Sequence, residues 1–519
     1  HEEGEPAEGR RADRAPDTAR PAAEPSRREG EPAGHGEHDR GRPAEERLVT
    51  THHRARIGNR EVAYTATAGT MLLKQDDGKV RASIYFTAYT RDGISDVGHR
   101  PITFAYNGGP GSASAWLHLG AFGPRRVVMD DEGWAPPPPY QIADNNESLL
   151  DVTDLVFIDP VSTGFSRPAP GEDAATFHGV REDVESVGDF IREYIARFER
   201  WGSPKFLAGE SYGTTRSAGL SRYLQDKLHV YLNGIVLVSS VLNFGTLRFD
   251  VGNDLPYPLF LPSFTATAWY HKKLPADLQS VDLQQAVAES ERFAAGEYTL
   301  ALMRGNDLGP AERRQLAQQL ARYTGLSETF LENANLRPTI FEFTKELLRS
   351  ERLTVGRLDS RFKGIDRQAN GERFEFDPAN AAFSGPFAAA FNDYAERELG
   401  FKSELNYELL TDKVRPWNYR PYDNQYVNVA EDLRFAMAIN PHLQVLVNSG
   451  YYDLATPFFA TQYTFSHLGF DPTYASRVSM AYYQAGHMMY VRRADREALK
   501  ANIARFIAGA ANATPAPAR

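Results

Sequence analysis

The sequence predicts an α/β domain: a mostly parallel central sheet with flanking helices, interrupted by a largely helical cap insertion. Three observations lead there. Apolar runs of strand length, followed by turns and helical patterns, recur from about residue 61 and again after residue 442; strands alternating with helices imply a parallel sheet covered on both faces. One such unit carries a conspicuous turn: Phe206-Leu207-Ala208, then Gly209-Glu210-Ser211-Tyr212-Gly213, then Leu220, Tyr223, Leu224 and Leu228 on one helical face. Between about Asn243 and Tyr422 the strand pattern gives way to helical periodicity.

The elements follow in chain order. Residues 1–46 are rich in Glu, Arg, Pro, Ala and Gly, with almost no large apolar residue, and read as a disordered tail that cannot bury enough surface to order itself. The core begins in residues 47–242. Val62–Thr67 and Val80–Tyr89 are strands separated by the turn Asp76-Asp77-Gly78. Ile102–Tyr106 is a third strand, running into the glycine-rich loop Asn107-Gly108-Gly109-Pro110-Gly111. Val156–Asp159 is a short buried-type strand ending in Pro160–Ser166, and Asp183–Phe198 has an apolar helical stripe at Val184, Val187, Ile191, Ile195 and Phe198. The serine-bearing strand–turn–helix comes next, then Ile235–Val238.

Residues 243–422 form the insertion, helical over 276–293, 311–323 and 341–349, with prolines and aromatics punctuating its start at Pro256, Pro258, Pro262, Trp269 and Tyr270. It is expected to sit over the strand ends. The core resumes over 423–508, with strands at Leu443–Val447 and Arg477–Tyr483 and a closing helix over Ala494–Ile507. A flexible tail is expected over 509–519. No internal repeat is visible.

Composition narrows the functional classes. A chain of 519 residues suits one large domain with an insertion, or a few domains. A net charge of −10 gives no basic footprint for nucleic acid. There is no cysteine, which excludes thiolate catalysis, disulfides and Cys-based metal sites. No apolar run is long enough to span a membrane. No metal or cofactor motif appears: H-E-x-x-H and the phosphate-binding G-x-x-x-x-G-K-[ST] are both absent. The chain begins at His1 rather than Met and reads as a processed product, so an exported protein, periplasmic or secreted, is expected. Nothing in the sequence sets an oligomeric state.

The chemistry centres on Ser211. Glycines two residues before and after it allow the sharp strand-to-helix turn that presents a serine Oγ at a sheet edge, the nucleophile elbow. A serine hydroxyl needs a base to take its proton, and the base needs an orienting acid. In the α/β-hydrolase fold these follow the serine in the order acid, then histidine, at strand ends. Asp453 and His487 stand in that order, each after an apolar strand and a glycine. His442 and His467 are rivals but follow no strand, and Asp159 precedes the serine and reads as structural.

The combination resembles the serine carboxypeptidases, peptidase family S10. The matching blocks are Asn107-Gly-Gly-Pro-Gly111, Asp159-Pro-Val-Ser-Thr-Gly-Phe-Ser166, Gly209-Glu-Ser-Tyr-Gly213, the Asp453 loop and Ala485-Gly-His-Met488, in the family's order over about residues 60–505. The resemblance implies the α/β-hydrolase fold and release of C-terminal amino acids from peptides and proteins. It implies Ser211 as nucleophile, His487 as base, Asp453 as its orienter, and the N–H groups of Gly109 and Tyr212 as the oxyanion hole. Asn107, the Gly108 backbone and Glu210 would hold the substrate's terminal carboxylate. Two carboxylates hydrogen-bond only when one carries a proton, so Glu210 must be neutral, and exopeptidase activity is expected at acid pH.

The sequence departs from the family pattern at four places. Ala105 stands where a Trp is usual, Ala121 where a second Glu often joins the carboxylate network, Ser112 for a Cys, and Thr214 for a Gly. Arg216, one turn into the elbow helix, is a further charge near the site, with a surface or structural role the plainer reading. An esterase or acyltransferase on the same scaffold, and a non-catalytic binding protein that kept the fold, are the alternatives.

Overall fold

The computed structural model describes residues 44–512; the expectations for the outer parts of both tails lie outside the described residues. Nine strands form the path of the central sheet: β1 (Arg47–Ile57), β2 (Arg60–Lys74), β3 (Val80–Arg91), β4 (Ile102–Tyr106), β5 (Asp154–Ile158), β6 (Lys205–Ser211), β7 (Gly234–Ser240), β8 (Gln444–Gly450) and β9 (Val478–Tyr483). Their spatial order is β1-β2-β3-β5-β4-β6-β7-β8-β9. The first three strands and β5 pair antiparallel, and everything from β5 to β9 is parallel. The sheet is therefore mixed but mostly parallel.

β1 is absent from the sequence reading. Its charged, His-rich sequence RLVTTHHRARI shows no strand-like apolar run, because only its last residues are buried. β2 and β3 are also longer than the runs that announced them.

The principal helices are α1 (Val180–Arg197), α2 (Tyr212–Arg222), α3 (Pro256–Tyr270), α4 (Leu283–Phe293), α5 (Pro310–Thr324), α6 (Pro378–Arg397), α7 (Ala430–Ile439) and α8 (Arg493–Ala511). Alternate side chains of each strand feed opposite faces of the sheet. On β7, Val236 and Val238 join one core, with Leu499, Ile503 and Ile507 of α8 and Phe383, Phe387, Phe391 and Tyr394 of α6. Ile235 and Leu237 join the other, with Val187, Phe190 and Ile191 of α1 and Leu433 and Met437 of α7.

Within 243–422 the side chains divide between two bodies. Phe260, Leu261 and Phe264 of α3, Leu316 and Leu320 of α5, and Ile340, Phe343 and Leu347 form a core of their own. α6 instead packs against the sheet. The expected helix over 276–293 is broken: one turn ends at Gln279, and Asp282 caps α4 by accepting a hydrogen bond from Gln285 N. α3 corrects the reading of its prolines as punctuation. Pro256 sits in the first turn, where its missing N–H costs nothing, while Pro262 is tolerated inside a helix buried on nearly all sides. Such a helix has no amphipathic period to detect. α8 runs to Ala511, past the expected start of the C-terminal tail at 509. No helix among the described residues is long and apolar enough to cross a membrane.

Candidate active site

Register places two loops side by side. Tyr106 of β4 pairs with Gly209 of β6, so Asn107-Gly108 leaves the sheet next to Glu210-Ser211. The approach is close: a Cβ on Gly108 would lie 2.3 Å from Tyr212 N, and one on Gly209 would lie 2.2 Å from the Gly213 carbonyl oxygen. The elbow is strained as its sequence implied, with Ser211 at φ 60° and ψ −128° capping α2. Gly109 is exposed and Ser211 partly so, while Asn107, Gly108, Glu210 and Tyr212 are buried.

Thr214 stands where the family has glycine, and it staples the elbow. Its Oγ1 donates to Ser211 O at 2.6 Å and accepts from Val241 N at 2.9 Å, tying α2 to the end of β7. Ser112 likewise has a partner, accepting from Trp116 Nε1 at 2.9 Å. Arg216 is fully buried, which removes the surface reading. It pairs with Asp183 at 2.7 Å and donates to Asn107 O at 2.6 Å, so it holds the Asn107 loop and is structural.

Asp453 and His487 come together across the ends of β8 and β9. His487 Nδ1 lies 2.8 Å from Asp453 Oδ2. Asp453 is fixed in turn: Oδ1 accepts from Ala455 N and Thr456 N, and Oδ2 from Thr456 Oγ1. A carboxylate only accepts, so Nδ1 carries the proton and Nε2 is left as the basic nitrogen. Burial works against a charged His487, but the charge and hydrogen bond of Asp453, with Glu210 adding to them, outweigh it and raise His487 above the ordinary imidazole value. Among the described residues Ser211 Oγ makes no hydrogen bond; contacts between nucleophile and base often close only with substrate in place.

Glu210 is buried beside the serine. Tyr490 Oη donates to its Oε2 at 2.7 Å, and the Asn107 amide is a further hydrogen-bonding neighbour. The Asn107 Oδ1 is already used, accepting from Leu117 N at 3.0 Å. Burial pushes the Glu210 carboxyl up to about 7, against the opposing pull of His487, Tyr490 and Asn107. Tyr490 is a site residue the sequence did not announce. It lies one turn past His487 in a segment with no motif of its own, and its ring packs so closely on Gly120 that a Cβ there would lie 2.4 Å from it.

The rivals fall away from the site. His442 is exposed, and His467 is exposed and stacks on Tyr463 at 3.9 Å. Asp159 is buried at the end of β5 and accepts from Ser114 N at 2.8 Å, tying down the loop that follows β4.

A serine on a strained elbow, followed in the chain by a hydrogen-bonded Asp–His pair at two further strand ends, is the arrangement of a serine hydrolase of the α/β-hydrolase fold. The model of the serine carboxypeptidase family (Peptidase_S10) matches residues 68–501, and the chain belongs to that family. Among solved structures it is similar to Kex1Δp, a prohormone-processing carboxypeptidase from Saccharomyces cerevisiae. That match has a TM-score of 0.55 at 15% identity and covers 85% of this chain and 91% of the other. A putative aryl esterase from Burkholderia cenocepacia matches with a TM-score of 0.35 at 13% identity, covering 85% and 98%. Juvenile hormone epoxide hydrolase from Bombyx mori matches with a TM-score of 0.34 at 12% identity, covering 86% and 79%. A search of curated protein sequences finds no significant match. The protein is a serine carboxypeptidase by family, a hydrolase acting on peptides.

Proposed function

We propose that the enzyme releases C-terminal amino acids through an acyl-enzyme on Ser211, with best activity at acid pH. His487 Nε2 takes the Ser211 proton as Oγ adds to the carbonyl carbon of the last peptide bond. The proton then passes to the leaving amine, the C–N bond breaks, and a water deprotonated by His487 releases the shortened peptide. The N–H groups of Gly109 and Tyr212 receive the oxyanion, each donor contributing about 2.7–4 kcal/mol to the transition state. Asn107, the Gly108 backbone and Glu210 hold the terminal carboxylate. An exported setting, periplasmic or secreted, belongs to the same reading and is decided by cell fractionation.

The observation that carries the reading is Glu210, a buried carboxyl adjoining the nucleophile and pushed up to about 7. Below that pH it is neutral and donates to an incoming carboxylate. Above it the two charges repel in a dry site, and the free-acid substrate is rejected. The test is a panel of peptides with free and amidated C-termini, digested between pH 4 and 9 and read by mass. Stepwise loss of single residues from free acids only, fading above about pH 7, is the expected result. Equal cleavage of both forms with a shared alkaline limb overturns it.

A second reading, ester hydrolysis or acyl transfer, is favoured by one feature. Tyr490 already occupies Glu210 Oε2, and Ala105 and Ala121 stand where larger clamp residues are usual. Preference for esters and amides over free acids in the same panel supports it.

A further inference from the structure

The loops carrying Asp453 and His487 share a third partner, the tip of a hairpin that reaches the site from within the insertion. Thr354–Val355 pairs antiparallel with Lys363–Gly364, and residues 357–361 form the turn between them. Four hydrogen bonds join this tip to the two catalytic loops. Leu454 N donates to Arg357 O at 3.0 Å, and Ser360 N to Tyr452 O at 2.9 Å, on either side of Asp453. His487 N donates to Leu358 O at 2.7 Å, and Gly486 N donates to the Asp359 carboxylate at 3.1 Å. Contact is so close that a Cβ on Gly486 would lie 2.4 Å from Leu358 O and 2.5 Å from Asp359 Cα.

The tip is itself anchored on three sides. Asp377 accepts from Arg357 N and Leu358 N at 3.1 and 2.9 Å. Thr267 Oγ1 and His271 Nε2 of the α3 region each meet Ser360 at 2.6 Å. Arg361, buried with 2% exposure, grips Asp359 through Nε and Nη2 at 3.0 and 2.8 Å and donates through Nη1 to Glu132 O at 3.1 Å. A buried ion pair is a poor way to gain stability, since apolar groups of the same volume often do as well. Here it does something apolar groups cannot. Asp359 Oδ2 serves Arg361 and the N–H of Gly486 together, which fixes the residue before His487.

We propose that the hairpin tip 357–361 belongs to the catalytic centre, with Asp359 and Arg361 as positioning residues that set His487 against Asp453. The inference rests on the triad reading of Ser211, Asp453 and His487. The insertion therefore contributes to the catalytic geometry. Misplacement of a reacting group by about 1 Å costs on the order of 10²-fold in rate.

The test is Asp359→Asn, whose amide is uncharged and keeps one accepting oxygen where the carboxylate offers two, so it cannot hold Arg361 through both Nε and Nη2 and Gly486 as well, with Arg361→Met and Arg361→Lys beside it. Each variant is measured for kcat, KM, the rate of Ser211 labelling by an organophosphonate, the acid limb of kcat/KM and Tm. Expected for Asp359→Asn are a kcat lowered about 10²-fold, KM little changed, slower labelling, and an acid limb moved to lower pH as His487 loses part of Asp453's hold. Arg361→Lys recovers part of what Arg361→Met loses. A folded Asp359→Asn with unchanged kcat and acid limb overturns the proposal. So does a kcat loss that merely tracks the fraction of sites that label. Where Asp359→Asn does not fold, the double variant Asp359→Asn/Arg361→Met leaves no buried charge unpaired, and the same outcomes decide. His487→Ala, assayed alongside, keeps the failures apart: if it stays active, the triad reading falls rather than the hairpin's role.

Discussion

After β5 the chain turns through Ser162 at φ 73°, and after β6 it turns through Ser211 at φ 60°. Each turn has a histidine in attendance and a buried carboxyl alongside. Burial pushes Asp159, like Glu210, up to about 7. By hydrogen bonding alone the first turn looks the more complete, because Ser162 Oγ and His178 Nε2 are 2.7 Å apart while Ser211 Oγ is unbonded among the described residues. What separates them is the rest of the chain of groups. His487 has Asp453 on its other nitrogen at 2.8 Å, and its basicity is raised. Among the described residues His178 has no carboxylate bond. Asp173 acts on it only at a distance, its Oδ1 being used by Ala175 N, and burial lowers the basicity of the ring. Ser162 is buried, whereas Ser211 opens beside the exposed Gly109. The second turn thus differs from the first in having a histidine oriented by a carboxylate and stabilised in its charged form, and an exposed glycine loop beside its serine.

The sharpest way to break this contrast is to remove each serine. Ser211→Ala should lower kcat by about 10⁴–10⁶-fold, the range seen when a triad nucleophile is lost, and abolish phosphonate labelling. Ser162→Ala should leave kcat within a few-fold and labelling intact. Residual labelling in Ser211→Ala that disappears on adding Ser162→Ala would reverse the assignment. Next in size is the orienting acid. Asp453→Asn should cost about 10⁴-fold in kcat with the fold retained, read by steady-state kinetics, whereas Asp173→Asn should cost nothing measurable.

The two carboxyls differ in kind as well. Glu210→Gln cannot ionise, so free-acid peptides should lose their alkaline limb in this variant. In the wild type, kcat/KM for the same peptides, taken relative to an ester substrate without a free carboxylate so that His487 divides out, should be about tenfold lower at pH 8 than at pH 6, from a group titrating at about 7. Peptide amides should follow neither trend. A Glu210→Gln profile that still falls above pH 7 would detach Glu210 from carboxylate recognition.

Much of this site was legible because its chemistry is local in sequence. Gly209–Gly213 and Asn107–Gly111 are short segments whose glycines and serine already specify a turn. Asp453 and His487 stood at recognisable strand ends, so chain order alone marked them as the pair to set with Ser211. Tyr490 and the 357–361 tip were not legible, since they act through contacts across the fold from segments with no periodicity. α3 and α6 were missed for a related reason: each carries an interior proline, Pro262 and Pro386; α3 is buried on nearly all sides, and the exposed face of α6 begins with Ala381, Gly385 and Ala389, small residues that do not read as polar. Ser162 is the converse case. Its block matches the family, yet only the structure shows that its histidine partner lacks an orienting acid.

The smallest expected effect concerns Asp159, and it separates a structural carboxyl from a functional one. Its folded value is raised from 3.8 to about 7, chiefly by burial. One of its oxygens, Oδ2, has no hydrogen-bond partner among the described residues, and burial outweighs the Ser114 N–H, the Tyr407 hydroxyl and the Arg167 charge that favour the ionised form. A raised carboxyl binds its proton more tightly folded than unfolded. Its contribution to stability is therefore complete below pH 3.8 and is lost as pH rises through about 7. Thermal unfolding of the wild type should accordingly fall in Tm between pH 5 and 8, and Asp159→Asn should remove part of that slope, a change of roughly 1–3 °C for a chain this large. Its kcat should match the wild type throughout, because Asp159 meets Ser114 and Tyr407 rather than any reacting group. Glu210→Gln should take a second share of the same slope while also altering the kinetics. If the two shares add in the double variant, the carboxyls titrate independently. If they do not, the ends of β5 and β6 are coupled, and the distinction between a holding carboxyl and a binding one fails.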